Sequence, residues 1–529
     1  MVQLDASHLN PTAHISQSVD VSKLHEHPDY LQLILTAPVY DVAIQTPLQH
    51  AVNLSNRINN DILLKREDLQ PVFSFKIRGA YNKMYNLTAE EKSRGVIACS
   101  DGNHAQGVAF AAQKLGIKAT IVMPVPTPEI KWRNVKRLGG NVILYGDDFD
   151  AAKVECARLA SECGLVNIPP YDDPYVIAGQ GTVALEILKQ QPLDNIDAIF
   201  CAVGGGGLAA GIAVYVKQIC PRIKVIGVET HDSFAMTEAL AQGRPCQLAE
   251  VGLFADGAAV RLVGTETFRI CNELLDDIVQ VSNDQLCAAI KDIFEDSRSI
   301  IEPAGALGVA GAKKWVSQNQ FEGKTIVAVT SGANMNFDRL RFVAERSELG
   351  EKREAIITAI IPEEPGSFMK LYNVIYPRPI TEFIYRYSNP KQAHIFTSFS
   401  VANRRVELRE IFDELENNGM KGEDISDNEM AKTHVRYLIG GRSEVENERL
   451  YRFEFPERPG ALQKFLTGLK VGWNVSLFHY RNFGADTGRV LVGLQVPPNE
   501  SKQFHAFLSN LECPFVDESD NSVYKQFLR

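Results

Sequence analysis

Ser74-Phe75-Lys76-Ile77-Arg78-Gly79-Ala80 places one lysine between an aromatic residue and an isoleucine, beside an arginine and just ahead of a helix-like run over residues 80–84. Burial disfavours the ammonium form, so a lysine in apolar surroundings loses proton affinity. The neutral amine is the form that condenses with an aldehyde. Taken alone, the stretch reads more simply as a surface lysine whose stem lies along apolar neighbours on an amphipathic helix.

From residue 31 to about 337 the chain alternates. Short β-rich runs at 61–64, 95–99, 119–123, 141–145, 198–203, 224–228 and 325–330 are separated by helical stretches. Strands alternating with helices imply βα units and a largely parallel sheet. Ligands on such sheets sit at the carboxyl ends of strands, against helix N-termini. Three motifs fall at such places. Ser100-Asp101-Gly102-Asn103-His104 follows one strand and opens a helix over 105–114. Gly204-Gly205-Gly206-Gly207-Leu208 follows another and opens a helix over 209–218. Ser331-Gly332-Ala333-Asn334 ends the last strand of the series.

These four blocks, in this order and spacing, resemble the pyridoxal-phosphate enzymes of fold type II, the tryptophan-synthase-β type. Within that group the chain is most similar to the threonine deaminases, from about Leu31 to Arg529. The resemblance implies an α/β fold with twisted, largely parallel sheets in two catalytic subdomains. It implies pyridoxal 5'-phosphate held on Lys76, which also serves as the catalytic base. Phe75, Asn103, Gly204, Gly205, Gly206, Gly207, Leu208 and Ser331 would bind the cofactor, with Asn103 at the ring hydroxyl oxygen and Ser331 at the pyridine nitrogen. Ser100, Gly102 and His104 would line a pocket for the substrate carboxylate. Glu302, in Glu302-Pro303-Ala304-Gly305, would play a supporting role. The implied reaction converts L-threonine to 2-oxobutanoate and ammonia, the first committed step of isoleucine synthesis, with L-serine as a second substrate and a homotetramer as the assembly. A serine racemase or serine dehydratase of the same fold is the alternative.

The residues themselves support parts of this. Successive glycines let backbone N–H groups approach an anion without Cβ clashes, and a helix N-terminus adds its dipole and orphan donors. The run therefore reads as a phosphate cradle or as a tight turn with no ligand. Gly204-x-Gly206-x-x-Ala209, with Glu229 at the end of the next strand, also fits the dinucleotide fingerprint of a nicotinamide oxidoreductase. Four consecutive glycines exceed what that fingerprint needs, and the block lies mid-chain, after at least four βα units. The N–H groups of 100–104 suit a second anion. Asp101 departs from the family, which usually has alanine there; its expected role is to cap the helix. A hydroxyl at Ser331 does not hold a pyridine nitrogen protonated, which suits α,β-elimination better than transamination.

Beyond residue 354 an internal repeat begins. Ile361-Pro362-Glu363-Glu364-Pro365-Gly366-Ser367 returns as Phe455-Pro456-Glu457-Arg458-Pro459-Gly460-Ala461. Each copy reads as a strand (355–361; 450–455), a Pro-Gly turn and a helix (368–375; 462–469). Two strands follow (380–387 and 394–401; 474–480 and 489–496), then a second helix (406–418; 501–511). This is the ferredoxin-like order. The copies resemble the paired ACT-like regulatory modules of threonine deaminases, which implies feedback inhibition by isoleucine, opposed by valine. A repeat that binds nothing is the other reading. The expected organisation is an extension (1–30), a catalytic domain (31–349), and two modules (350–440 and 441–529), joined by a charged helix over 338–353.

Length and composition agree with this. A chain of 529 residues exceeds one compact core. A net charge of −10 argues against a nucleic-acid partner. Nine scattered cysteines without a C-x-x-C pair read as reduced thiols. No metal-ligand spacing occurs, and His104 is the single histidine within a motif. The chain contains no apolar run of membrane-spanning length. Residues 1–30 carry acids and histidines, unlike a secretory signal or Arg-rich transit peptide. They read as a loose tail with at most a short helix over 21–25, and the cytoplasm is the expected address.

Overall fold

The computed structural model describes residues 28–362, 367–385, 391–437, 446–456, 465, 473–481, 487–511 and 513–529. The expected tail up to residue 27, both Pro-Gly turns and most of the helix over 462–469 lie outside the described residues.

The alternating half forms two parallel sheets. The larger runs Leu48–His50, Asp61–Arg66, Thr325–Thr330, Ala198–Ala202, Lys224–Thr230, Asp277–Val281, and only its first strand is antiparallel. Its central strands, Thr325–Thr330 and Ala198–Ala202, are mostly apolar because both faces are covered. Ile199 and Cys201 enter the core on one side, and Ala198 and Phe200 enter the core on the other. The smaller sheet runs Asn141–Leu144, Ala119–Met123, Val96–Cys99, Val166–Asn167, all parallel. Three strands escape a reading by pattern: Leu48–His50 and Val166–Asn167 are too short, and Asp277–Val281 is an edge strand with a mixed face.

The helix Lys76–Tyr85 packs between the sheets, against Asn103–Leu115 and Pro174–Gln190. The approach to Pro174–Gln190 is close enough that a Cβ on Gly179 would lie 2.6 Å from Gly79 Cα. Arg78 is fully buried there. It donates to both Glu67 oxygens at 2.8 and 2.7 Å and to Glu186 Oε1 at 2.7 Å, while Lys65 Nζ donates to Glu186 Oε2 at 2.6 Å. Buried charge persists only when paired in this way, so the network anchors the first turn of the helix.

The repeat forms two four-stranded antiparallel sheets, ordered Ile380–Tyr385, Gln392–Ser400, Glu354–Pro362, Lys421–Asp424 and Asn474–Arg481, Thr487–Gln495, Glu448–Pro456, Phe515–Asp517. Successive strand residues face opposite sides. Ala355, Ile357, Ala359 and Ile361 pack under the helices of the first copy. Ile356 and Phe396 face the other way and meet Leu450, Leu491 and Tyr524 in a core shared by both copies. The connecting helix, Arg339–Gly350, ties this unit to the catalytic half: Arg346 donates to Asp284 at 3.0 Å and to Glu429 at 2.8 Å. No disulfide joins the described cysteines, and no described helix is long and apolar enough to cross a membrane.

Candidate active site

Lys76 is the first residue of its helix, and the loop before it is fastened to the end of strand Thr325–Thr330. Phe75 N donates to Ser331 O at 3.2 Å, Ala333 N donates to Phe73 O at 2.9 Å, and Ser74 bridges Gly332. Two blocks distant in the chain thus become neighbours. The Lys76 amine donates to Pro170 O at 2.7 Å and lies 5.4 Å from the centre of the Phe75 ring. Burial alone brings its pKa from 10.5 down to about 8.

Pro170 leads to Tyr171, whose ring lies on the glycine run. A Cβ on Gly205 would sit 2.2 Å from Tyr171 Cδ1, and one on Gly207 3.0 Å from Tyr171 Cβ. Gly206 has φ +93° and opens the helix Gly207–Ile219, two residues earlier than its sequence pattern indicates. No side chain caps that helix. Its first-turn N–H groups are therefore orphan donors without a protein side chain to meet them. Leu208 turns its side chain into the core and offers only backbone to a ligand. Bare N–H groups, no Cβ and no acidic cap fit a phosphate. Glu229, the acid a dinucleotide site would need, is spent elsewhere: it accepts from Met236 N at 2.8 Å, Thr237 N at 2.9 Å and Thr237 Oγ1 at 2.7 Å.

Asn103 stands opposite, at the start of its helix. Its Nδ2 donates to Glu302 Oε1 at 2.6 Å, and its Oδ1 accepts from Asn334 Nδ2 at 2.6 Å. Gly332 permits this cluster, since a Cβ there would lie 2.4 Å from Glu302 Oε1. Glu302 is buried and its carboxyl is raised to about 7, chiefly by desolvation and then by the charge of Asp256. Asp256 is held down at about 2: burial opposes this, and Lys131 (2.8 Å) and Arg339 (3.2 Å) overcome it. Ser331 is buried and donates to Ala304 O at 3.3 Å.

Ser100 Oγ accepts from Gly102 N at 3.3 Å, which shapes the turn before Asn103. His104 is buried and neutral, with its pKa lowered to about 3 by desolvation and by the Lys76 charge. Its Nε2 lies 2.8 Å from Ile168 O and its Nδ1 has no partner among the described residues. With Nε2 donating to the carbonyl, Nδ1 presents a lone pair and not a proton. The expected Asp101 cap is not formed. Gly102 occupies the cap position without a side-chain bond, and Asp101 points to Lys131 at 3.8 Å. The turn made by Ser100 puts Asp101 before the cap, and the nearby ammonium supplies a better partner.

The structure thus gathers Lys76, Phe75, Ser331, Asn103, Glu302 and the glycine run from five segments of the chain, the Glu302 segment lying between two helices. Sequence reasoning gave no role to Asn334, although it lies in a quoted motif, or to Asp256. Lys131, Pro170 and Tyr171 carried no signal at all, because each acts through a contact distant in sequence.

Residues 39–332 match the family model described as pyridoxal-phosphate dependent enzyme, and residues 345–435 and 440–528 match the C-terminal regulatory domain of threonine dehydratase. The chain is 53% identical over 542 residues to the mitochondrial threonine dehydratase of Saccharomyces cerevisiae, covering 99% of this chain and 94% of the relative. It is 55% identical over 504 residues to the biosynthetic L-threonine dehydratase of Burkholderia multivorans, covering 94% and 99%. The processed form of threonine deaminase isoform 2 from Solanum lycopersicum superposes with TM-score 0.60 at 50% identity, over 62% of this chain and 94% of that one. Maize serine racemase shares the fold at TM-score 0.56 and 32% identity, over 60% of this chain and 96% of that one.

Proposed function

Because this chain belongs to the pyridoxal-phosphate-dependent threonine dehydratases that carry a C-terminal regulatory domain, we propose how its own residues divide the work of that reaction. It is a threonine ammonia-lyase of the biosynthetic type, converting L-threonine to 2-oxobutanoate and ammonia on the route to isoleucine. Bound pyridoxal phosphate supplies an electron sink that draws charge from the substrate's α-carbon.

Lys76 would anchor the cofactor, and its free amine would take the α-proton. Its pKa of about 8 suits that role, since a base works best with a pKa near the operating pH. The N–H groups of Gly204 to Leu208 hold the phosphate. Phe75 supports the amine, and Asn103 donates to the ring oxygen. Ser331 would lie at the ring nitrogen, where a neutral hydroxyl, unlike a carboxylate, would not hold that nitrogen protonated. Ser100, Gly102 and the start of the helix Asn103–Leu115 orient the substrate carboxylate, with His104 as a neutral wall beneath it. L-Serine reacts at the same site, because the missing methyl removes only a small apolar contact. The carrying observation is the Lys76 amine, bonded to the carbonyl of Pro170, the residue just before the Tyr171 ring that lies on the uncapped glycine turn.

The regulatory domain takes an effector. We assign isoleucine as the inhibitor, with valine opposing it, because an end-product must act through two states of different affinity. The assembly we assign is a homotetramer and the address we assign is the cytoplasm; the yeast relative is named mitochondrial. Four measurements test these readings. Wild-type protein should be yellow and form 2-oxobutanoate, and Lys76→Ala should lose both; a colourless wild type that binds a nicotinamide dinucleotide refutes the site. Isoleucine should inhibit the full chain and spare a chain ending at Leu349; an indifferent full chain makes the repeat structural. Light scattering and localisation of a tagged chain decide the last two, and a monomer or a mitochondrial signal overturns them.

A further inference from the structure

We infer that Glu302 is a positioning residue whose ionisation sets how firmly Asn103 presents its remaining N–H to the cofactor ring. The inference rests on the placement of the cofactor at Asn103 given above.

The chain of contacts starts at a backbone carbonyl, which cannot be a donor. Asn334 Nδ2 donates to Val72 O at 2.8 Å, which fixes the orientation of the Asn334 amide. The same Nδ2 donates to Asn103 Oδ1, so that oxygen must face Asn334. Asn103 Nδ2 therefore faces Glu302, and Glu302 Oε1 must accept from it. With its oxygen and one N–H engaged, the amide has a single N–H left. A ring oxygen that lacks a proton meets a donor there and never an acceptor.

Glu302 is the variable member of this relay. The groups around it are Asp256, Lys131, Arg339 and Asn103, contributed by separate segments of the chain. Asp256 is ionised throughout the working range because Lys131 and Arg339 hold it so. Its negative charge and the burial of the site keep Glu302 in a range where it titrates near neutrality. An ionised carboxylate makes a charge-assisted bond to Asn103, and a protonated one makes an ordinary bond about half as strong. Above about pH 7 the amide is held tightly; below it the amide loosens. The backbone needs Gly332 here, since any side chain would collide with the carboxylate. Glu302 touches no reacting atom in this account and acts only through Asn103.

The test uses holoenzyme and two variants. Glu302→Gln keeps an oxygen to accept from Asn103 but cannot ionise. The first readout is the equilibrium release of pyridoxal phosphate between pH 6 and 8.5. Wild type should tighten as pH rises by about tenfold more than Glu302→Gln does, the difference expected between hydrogen bonds to charged and neutral acceptors. The second readout is infrared: the carboxylic-acid band of the wild type should fade with a midpoint near the Glu302 value, and Glu302→Gln should lack that component. Parallel release curves for wild type and Glu302→Gln, or no acid band titrating near neutrality, overturn the inference. Asn103→Ala separates this from the cofactor placement: it should weaken binding and abolish the pH difference. An Asn103→Ala protein that holds the cofactor like wild type refutes the placement itself, and the inference with it.

Discussion

The amine of Lys76 offers the sharpest quantitative test. Mixing cofactor-free protein with excess pyridoxal phosphate and following the visible band reports capture by the neutral amine. With a pKa of about 8, the neutral fraction is roughly 9% at pH 7, about 50% at pH 8 and about 90% at pH 9. The capture rate should therefore rise about fivefold from pH 7 to 8, less than about twofold from 8 to 9, and level off beyond that. The sign follows from the cause: burial disfavours the cation, so the reactive form appears at a lower pH than for a free lysine. An amine at the ordinary 10.5 would instead gain roughly tenfold per pH unit across the whole range. A rate that climbs without levelling through about pH 10 would show a solvated amine and refute the buried one. Lys76→Arg serves as the baseline, because its guanidinium forms no stable bond to the aldehyde.

Three further outcomes follow from the packing. Gly206→Ala forces a side chain into φ +93° with its Cβ 2.9 Å from Thr267 Cβ, so it should cost about 1–3 kcal/mol in thermal or urea unfolding and weaken cofactor retention. Arg78→Ala leaves Glu67 and Glu186 buried with Lys65 as their remaining cation and should cost about 3–5 kcal/mol, read by urea denaturation; a loss below about 1 kcal/mol would mean the network anchors nothing. Asp101→Ala should change stability by less than about 0.5 kcal/mol, against about 1 kcal/mol for a lost cap, while threonine KM falls modestly as a negative charge leaves the rim.

Periodicity and residue chemistry sufficed for much of the fold. The strands Ala119–Met123 and Thr325–Thr330 fall where their apolar β-branched runs end. The two copies of the C-terminal unit repeat the same order because the same pattern recurs. Boundaries drifted where backbone conformation, not pattern, decides them: Gly206 in the left-handed region starts its helix at Gly207, ahead of the first periodic residue.

The site divides along the same line. Glycines in sequence are enough to make a turn that accepts an anion, since the absence of a Cβ is a property of the residues alone. The perturbed amine, the oriented Asn103 and the half-neutral Glu302 are properties of their surroundings. The amine is perturbed by burial, and the other two depend on partners far away in the chain, Asn334 and Asp256, that no local pattern marks. Asp101 shows the difference in one residue: its type favours a helix cap, yet the turn at Ser100 and the ammonium of Lys131 turn it outward. The sequence by itself determined most of the elements and which chemistry the chain carries, because sterics and hydrophobic period act over a few residues. Only the tertiary structure decided protonation, amide orientation and the core that joins the two regulatory repeats, because desolvation and long-range contact exist only once the chain has closed on itself.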